Sequence, residues 1–257
     1  MPAFYTPHGG SLQFDRTSPL GVLFLSLEKL LRPLFTGLIF VSEWEKNAYD
    51  VKIGLGGKSF RIVHNGLWET DFRPVTPRRD AADLLFIGEL REVKGVDVML
   101  RAMAIVAATR PVTAMIVGDG AQRRELETLC RSLGLDRQVA FMGARPALSV
   151  LDHGRIMVVP SRFESMPYIV LEAAAASIPL IATRTGGIPE ILPAGQLVEP
   201  GDPAPLARAI ETVLDDIETW QGRARAVAAT VRDRFSAAQM ADSIGAFYTQ
   251  AHHNAHR

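Results

Sequence analysis

Val158-Val159-Pro160-Ser161-Arg162-Phe163-Glu164-Ser165-Met166-Pro167-Tyr168-Ile169-Val170-Leu171-Glu172 is the stretch whose reading decides the fold. An apolar run from Ile156 to Val159 reads as a buried strand, ended by Pro160 and Ser161. A helix is predicted to begin at Pro167 and run to Ser177, because proline fits a first helical turn, where its missing N–H is not needed. Strand, loop and helix in this order bring free N–H groups and the positive end of a helix dipole to the carboxyl edge of a sheet, a setting suited to a phosphate. Two carboxylates frame the loop, Glu164 before the helix and Glu172 within it. Hydrophobic neighbours on both sides argue against an ordinary surface role for either.

The pattern repeats around this unit. Leu84–Ile87, Thr113–Val117, Val139–Met142, Ile156–Val159, Pro179–Ala182 and Gly195–Val198 read as strands. Helices are predicted between them over Val96–Thr109, Ala121–Leu133, Ala147–Asp152 and Pro167–Ser177, and after them over Pro205–Asp215, Thr219–Phe235 and Ala237–His252. Strands alternating with helices imply βαβ units and a parallel sheet with right-handed crossovers. Such a sheet binds ligands beyond the carboxyl ends of its strands.

The first 75 residues are sparser. A helix over Leu20–Leu31, a strand within Thr36–Val41, a helix over Ser42–Ile53 and a strand over Phe60–Val63 are predicted, with Ser42 and Glu45 spaced as a capping box. Asn65-Gly66 marks a turn, and Pro74–Asp80 reads as a linker. Glu28, Lys29, Arg32 and Pro33 interrupt the apolar stretch Leu20–Val41, which excludes a membrane span. Its helix is expected to pack against the rest of the fold, with a peripheral membrane contact as the other reading. The start lacks the layout of a secretory signal. Zero formal net charge removes the global basic field of a nucleic-acid binder. The single cysteine, Cys130, cannot form an internal disulfide and sits among leucines as a core filler. The expected organisation is residues 1–75 as a first half, 76–235 as a Rossmann-like domain, and 236–257 as a final helix.

The loops at the strand ends carry the chemistry. Gly88-Glu89-Leu90-Arg91-Glu92-Val93-Lys94-Gly95 places two glycines and a lysine just before a helix. Lys94 reads as a diphosphate clamp or as a surface lysine beside a glycine turn. Val117-Gly118-Asp119-Gly120-Ala121 has Arg123 where a dinucleotide fingerprint wants its third glycine, so it reads as a tight turn and not an NAD site. Gly186-Gly187 can present N–H groups to an anion or serve only as a turn.

Taken together, residues 84–200 resemble the nucleotide-binding half of a family 4 (group 1) glycosyltransferase of the GT-B fold. The resemblance rests on Phe86 to Gly95, Ile116 to Gly120, Val159 to Ala173 and Thr183 to Glu190, with Glu164 and Glu172 matching the family's paired glutamates. Phe40-Val41-Ser42-Glu43 and Asn65-Gly66 match the end of the family's other half, and Thr6-Pro7-His8-Gly9-Gly10 resembles its histidine-bearing acceptor loop. The implied fold is α/β, with one complete Rossmann-like domain and a truncated N-terminal half.

The resemblance implies a retaining transfer of a sugar from a UDP- or GDP-linked donor to a glycan or lipid acceptor, in polysaccharide or glycolipid assembly, with no required metal or cofactor. Carried over residue by residue, Gly88, Lys94 and the backbone at Ser165 and Met166 would meet the diphosphate. Glu172 would accept the ribose hydroxyls; Glu164 and His8 would be the catalytic residues, Glu164 binding a hydroxyl of the donor sugar or steadying the reacting centre, and His8 positioning sugar or acceptor from the other half. Where the family places an arginine after the first loop glycine this chain has Glu89, and Arg91 is expected to supply the charge. The early strands of the family's first half are absent, which would leave sheet edges and apolar faces exposed and implies a fragment, a misplaced start, or a shortened protein that needs a partner chain. The expected location is cytoplasmic, possible peripheral contact with the inner membrane face included. Two other readings stay open: another GT-B enzyme such as a nucleotide-sugar epimerase, and a non-catalytic nucleotide-sugar-binding protein.

Overall fold

The computed structural model describes residues 2–255. Six parallel strands form the larger sheet: β4 (Ala82–Ile87), β5 (Ala114–Val117), β6 (Val139–Phe141), β7 (Gly154–Val159), β8 (Leu180–Thr183) and β9 (Leu197–Val198), in the order β6-β5-β4-β7-β8-β9. The strands are apolar on both faces because helices cover both. Alternation along each strand divides the contacts. Leu84, Phe86, Ile156 and Val158 enter the core shared with α3 (Val96–Ala107), α4 (Arg123–Ser132) and α7 (Pro203–Asp215). Leu85, Ile87, Met157 and Val159 face α5 (Tyr168–Ala175) and α8 (Ile217–Arg234). Cys130 is buried in the first of these cores, as the leucines around it predicted.

The chain runs outward from β4 to β6, then returns to β7 and runs the other way. The loops that follow β4 and β7 therefore lie side by side where the strand order reverses, the position at which such sheets hold ligands. A further short helix, α6 (Ile188–Ile191), follows β8.

A smaller parallel sheet, β1-β2-β3, is built from Phe4–Tyr5, Gly37–Phe40 and Ser59–Ile62. Helices α1 (Pro19–Leu31) and α2 (Glu43–Lys52) belong to this half. Leu38, Phe40, Tyr49, Leu12, Leu25 and Ile53 make its core. On the opposite face Ile39 and Val63 pack with Phe247 of α9 (Ala237–Ala255), and the Phe4 and Phe247 rings meet edge-on at 5.4 Å. The last helix thus returns to the first sheet. The two passages of the chain between the halves run together: Leu67 N–H donates to the Phe235 carbonyl and Ala237 N–H to that of Leu67.

Several local readings are corrected. The strand β1 has no strong signal in its two residues. The predicted helix over Ala147–Asp152 is instead two 3-10 turns, Ala147–Ser149 and Leu151–His153, because the stretch between Pro146 and Gly154 is too short to repay an α-helical nucleus. Pro167 is the N-cap of α5 and not its first turn. Within α1 only Gly21 and Leu25 are buried, whereas Leu23 is 58% and Leu30 74% exposed, so the predicted packing of its apolar face is largely unmet. Only half of the expected capping box forms: Ser42 Oγ accepts from Glu45 N–H, while the Glu45 carboxylate bypasses Ser42 N–H.

Candidate functional site

The loops after β4 and β7 meet through one ion pair. Lys94 Nζ lies 2.7 Å from Glu164 Oε1, and the Ser161 hydroxyl donates to the same oxygen at 2.7 Å. Glu164 is 7% exposed. The approach is close because Gly95 has φ +67° and a Cβ there would strike the Pro160 carbonyl. A second pairing secures the loops from behind. Arg162 forks onto both oxygens of Asp97 at 2.7 Å and donates to the Glu92 carbonyl. Burial acts to raise the Asp97 pKa, but the Arg162 bond and charge outweigh it and hold the carboxyl below the usual range.

Helix α5 starts beside this pair without a side-chain cap. Its first N–H groups are therefore available to an anion, within reach of a fixed cation. Four residues into the helix, Glu172 is half-buried. Burial first, and then the negative Asp71, raise its pKa, and no hydrogen bond to its carboxylate is found among the described residues. A half-buried carboxylate without a partner can receive hydroxyl donors.

The other half meets these loops directly. His8 is exposed, in the left-handed region at φ +50°, a conformation that a non-glycine residue adopts rarely. The neighbouring Gly9 packs so closely on Ser165 and Phe163 that an added Cβ would lie 3.0 Å from Ser165 Cβ. The His8 turn is thereby set against the loop carrying Glu164. Met166 is buried, and its carbonyl accepts from Asn65 Nδ2 at 2.8 Å. Ser165 Oγ donates to Glu45 Oε1 at 2.8 Å.

Gly186 and Gly187 act as a turn. Gly186 has φ +57° with the Glu164 carbonyl where a Cβ would be, and Gly187 N–H donates to the Ser165 carbonyl at 2.5 Å. Glu190, just beyond, reaches the other half. It accepts from Glu43 and Trp44 N–H at 3.2 and 3.1 Å and meets His64 Nε2 at 2.9 Å. It thus acts as an N-terminal cap for α2 supplied by a different part of the chain.

Lys94, Glu164, Ser165 and Met166 are therefore brought together, with Gly88 at the end of β4. Arg91 is exposed and turned onto Glu89 at 3.3 Å. Glu45, His64 and Glu190 were not legible as site-bordering groups. Glu45 carried only a capping signal, and the Glu190 partners lie more than a hundred residues away. Among the described residues no group of three His, Cys, Asp or Glu side chains is arranged to hold a metal ion, and no helix is long and apolar enough to cross a membrane.

Two Rossmann-like halves facing each other across a cleft, one complete and one smaller, define the GT-B architecture. Residues 81–216 match the family described as glycosyl transferases group 1, and the chain belongs to that family. It is similar to the glycogen synthase of Mycobacterium tuberculosis, with 32% identity over 209 residues that cover 77% of this chain and 50% of that protein. It is also similar to the crystal structure of Anabaena Alr3699/HepE in complex with UDP (22% identity, TM-score 0.83, covering 97% of this chain and 72% of that one). A sucrose-phosphate synthase from Thermosynechococcus elongatus is a third (24% identity, TM-score 0.84, covering 96% and 67%). The matches span half or less of the curated relatives' own lengths.

Proposed function

We propose that this chain binds a UDP- or GDP-linked sugar in the cleft and transfers the sugar, with retention of configuration, to a glycan or lipid acceptor. The observation that carries the reading is the Lys94–Glu164 pair set beside the uncapped start of α5. Breaking the bond between the sugar and the diphosphate moves an electron pair onto the leaving phosphate oxygen. Fixed donors stabilise that charge better than water can, since they need not reorganise. In this reading Lys94 and the N–H groups after Ser165 and Met166 hold the diphosphate, with Gly88 allowing close approach and Arg91 adding charge from the rim. Glu172 accepts the ribose hydroxyls. Glu164 orients the donor sugar, and His8 faces the reacting centre from the other half. The chemistry needs no cofactor and no metal in this scheme. Action at the cytoplasmic face of a membrane, in polysaccharide or glycolipid assembly, is the setting we propose.

The relatives support the donor class. The name of the M. tuberculosis relative is that of a glucan-building enzyme, and the Anabaena protein was crystallised with UDP and with UDP-glucose. A second reading, binding without turnover, predicts affinity for the donor nucleotide with no transferred sugar. Calorimetry with UDP, GDP and ADP, on the chain and on Lys94→Ala, tests the donor site. Binding of one nucleotide that weakens at least tenfold in the variant is expected, and no binding to the folded chain refutes the reading. Turnover of the matching nucleotide-sugar, with the anomeric configuration of the product read by NMR, separates transfer from binding alone.

A further inference from the structure

Glu45 is a fully buried carboxylate, 0% exposed, with no cationic partner among the described residues. Burying an unpaired charge is costly, so every lone pair it offers should be engaged. The engaged groups come from three parts of the chain. Oε2 accepts from the Val41 N–H at 2.8 Å, Oε1 accepts from the Ser165 hydroxyl at 2.8 Å, and Oε1 also accepts from the Gly9 N–H. Glu45 is the third residue of α2, where the helix N-terminus favours negative charge and Ser42 already caps its N–H. A capping box would have closed on Ser42 N–H. The carboxylate is instead spent on the His8 turn of one half and on the diphosphate-side loop of the other.

The rest of that turn hangs from the same helix and its neighbour. Lys52 Nζ, at the end of α2, donates to the Leu12 and Phe14 carbonyls at 2.5 and 2.9 Å, and Ser11 Oγ donates to Glu28 of α1 at 2.5 Å. Both ends of the segment following His8 are therefore pinned, and Gly9 is the point at which the pinning touches the other half. The left-handed His8 backbone thus adjoins a segment held at Gly9, Ser11, Leu12 and Phe14.

We propose that Glu45 is a positioning residue for the transfer site: it grips the Gly9 amide and the Ser165 hydroxyl with one oxygen, and so sets the His8 turn in register with the loop that receives the diphosphate. The inference rests on the donor-site reading above, in which Ser165 borders the nucleotide. All three groups around the carboxylate donate, so a carboxylate suits the place and an amide does not. Glutamine would satisfy one side and aim its NH2 at an N–H on the other. A ligand that immobilises Ser165 should therefore immobilise Gly9 as well, through Glu45.

Amide hydrogen exchange at Gly9, read in the 257-residue chain with and without saturating UDP (or GDP, if calorimetry shows that base to bind), tests this. Without nucleotide, the Gly9 amide of Glu45→Met, which keeps the side-chain bulk and removes both acceptors, is expected to exchange at least about tenfold faster than in the unaltered chain. Equal protection in the two overturns the proposal. With nucleotide, protection of Gly9 should rise in the unaltered chain and fail to rise in Ser165→Ala, which keeps the Gly9 and Val41 bonds and loses only the link across the cleft. A buried charge with a purely structural role would leave that response intact in Ser165→Ala, and an intact response overturns the proposal, as does bound nucleotide that leaves Gly9 unchanged in the unaltered chain. If Glu45→Met does not fold, the Ser165→Ala comparison decides. If no nucleotide binds the unaltered chain, the donor-site reading fails, and the nucleotide-free comparison judges Glu45 by itself.

Discussion

Replacing Lys94 by methionine keeps the alkyl stem and removes only the charge. At the 2.7 Å separation from Glu164, the gross attraction is about 6 kcal/mol for an effective dielectric of 20. Most of it offsets the desolvation of the two ions, so the pair's net worth is small. The variant reveals the other side of that balance. Glu164, with a side chain 9% exposed, keeps the Ser161 hydroxyl and loses its cation. Removing one partner of a fully buried pair costs about 3–5 kcal/mol. Lys94 is 26% exposed, so water recovers part, and a loss of about 2 kcal/mol is expected. In a chain of this size that corresponds to a fall in Tm of about 4–8 °C. Adding Glu164→Gln to Lys94→Met should restore most of it, with a coupling of about 1–2 kcal/mol in the double-mutant cycle. Nucleotide affinity should behave differently. Lys94→Met should lose about 1.4 kcal/mol or more, a factor of ten. Glu164→Gln should bind UDP at least as well as the parent, since the ammonium is no longer shared with a carboxylate. Thermal unfolding and calorimetry on the four proteins provide both readouts. A Lys94→Met chain with unchanged Tm, or single losses that simply add in the double variant, would refute the pairing as described.

Three further outcomes are expected. Glu172 has a raised pKa, so its favourable contribution is complete below the ordinary carboxylate value and is lost as pH rises through the folded value; once ionised its charge is a liability, and above that value Glu172→Gln should raise the Tm of the unliganded chain by a few degrees while weakening nucleotide binding. A lower Tm in that variant would contradict the account. For Glu190, burial acts to raise the pKa, but the His64 bond and the Trp44 and Glu43 N–H groups lower it overall, so its stabilisation is present above about pH 4.5 and fades as pH falls through the folded value. Glu190→Gln should flatten that acid limb in urea titrations run at successive pH values. Gly186→Ala places a Cβ against the Glu164 carbonyl at positive φ and should cost about 2–4 kcal/mol, measured as a lower urea midpoint, whereas Gly57→Ala, with positive φ but open space, should cost about 1 kcal/mol.

Much of the larger domain is visible in local patterning. Strands buried on both faces are short apolar runs, and every strand but β7 is followed by a glycine-bearing loop, so the alternation from Leu84 to Val198 can be followed without structural information. The loop residues Lys94 and Glu164 could be nominated because their elements end at the same edge of a parallel sheet. Their direct pairing could not, since it depends on β4 and β7 being neighbours although β5 and β6 intervene in the chain. The groups joining the halves were hidden for a similar reason. Glu45 looks like a helix cap because local spacing is all a sequence displays, and the choice between Ser42 N–H and Gly9 N–H is made by tertiary approach. Glu190 looks like an exposed residue in a turn until α2 is placed above it. The exposed leucines of α1 mark the opposite failure, where periodicity promised a contact that the described residues do not make.

The return of α9 to the first sheet has a consequence for the order of assembly. On a ribosome the first sheet emerges early, yet Phe247 completes one of its faces, and Phe247 is made only after the entire six-stranded domain. The second domain can close its two cores while the first waits with Ile39 and Val63 uncovered. The half synthesised first is then the half finished last, and its apolar face is the surface a chaperone would meet during synthesis.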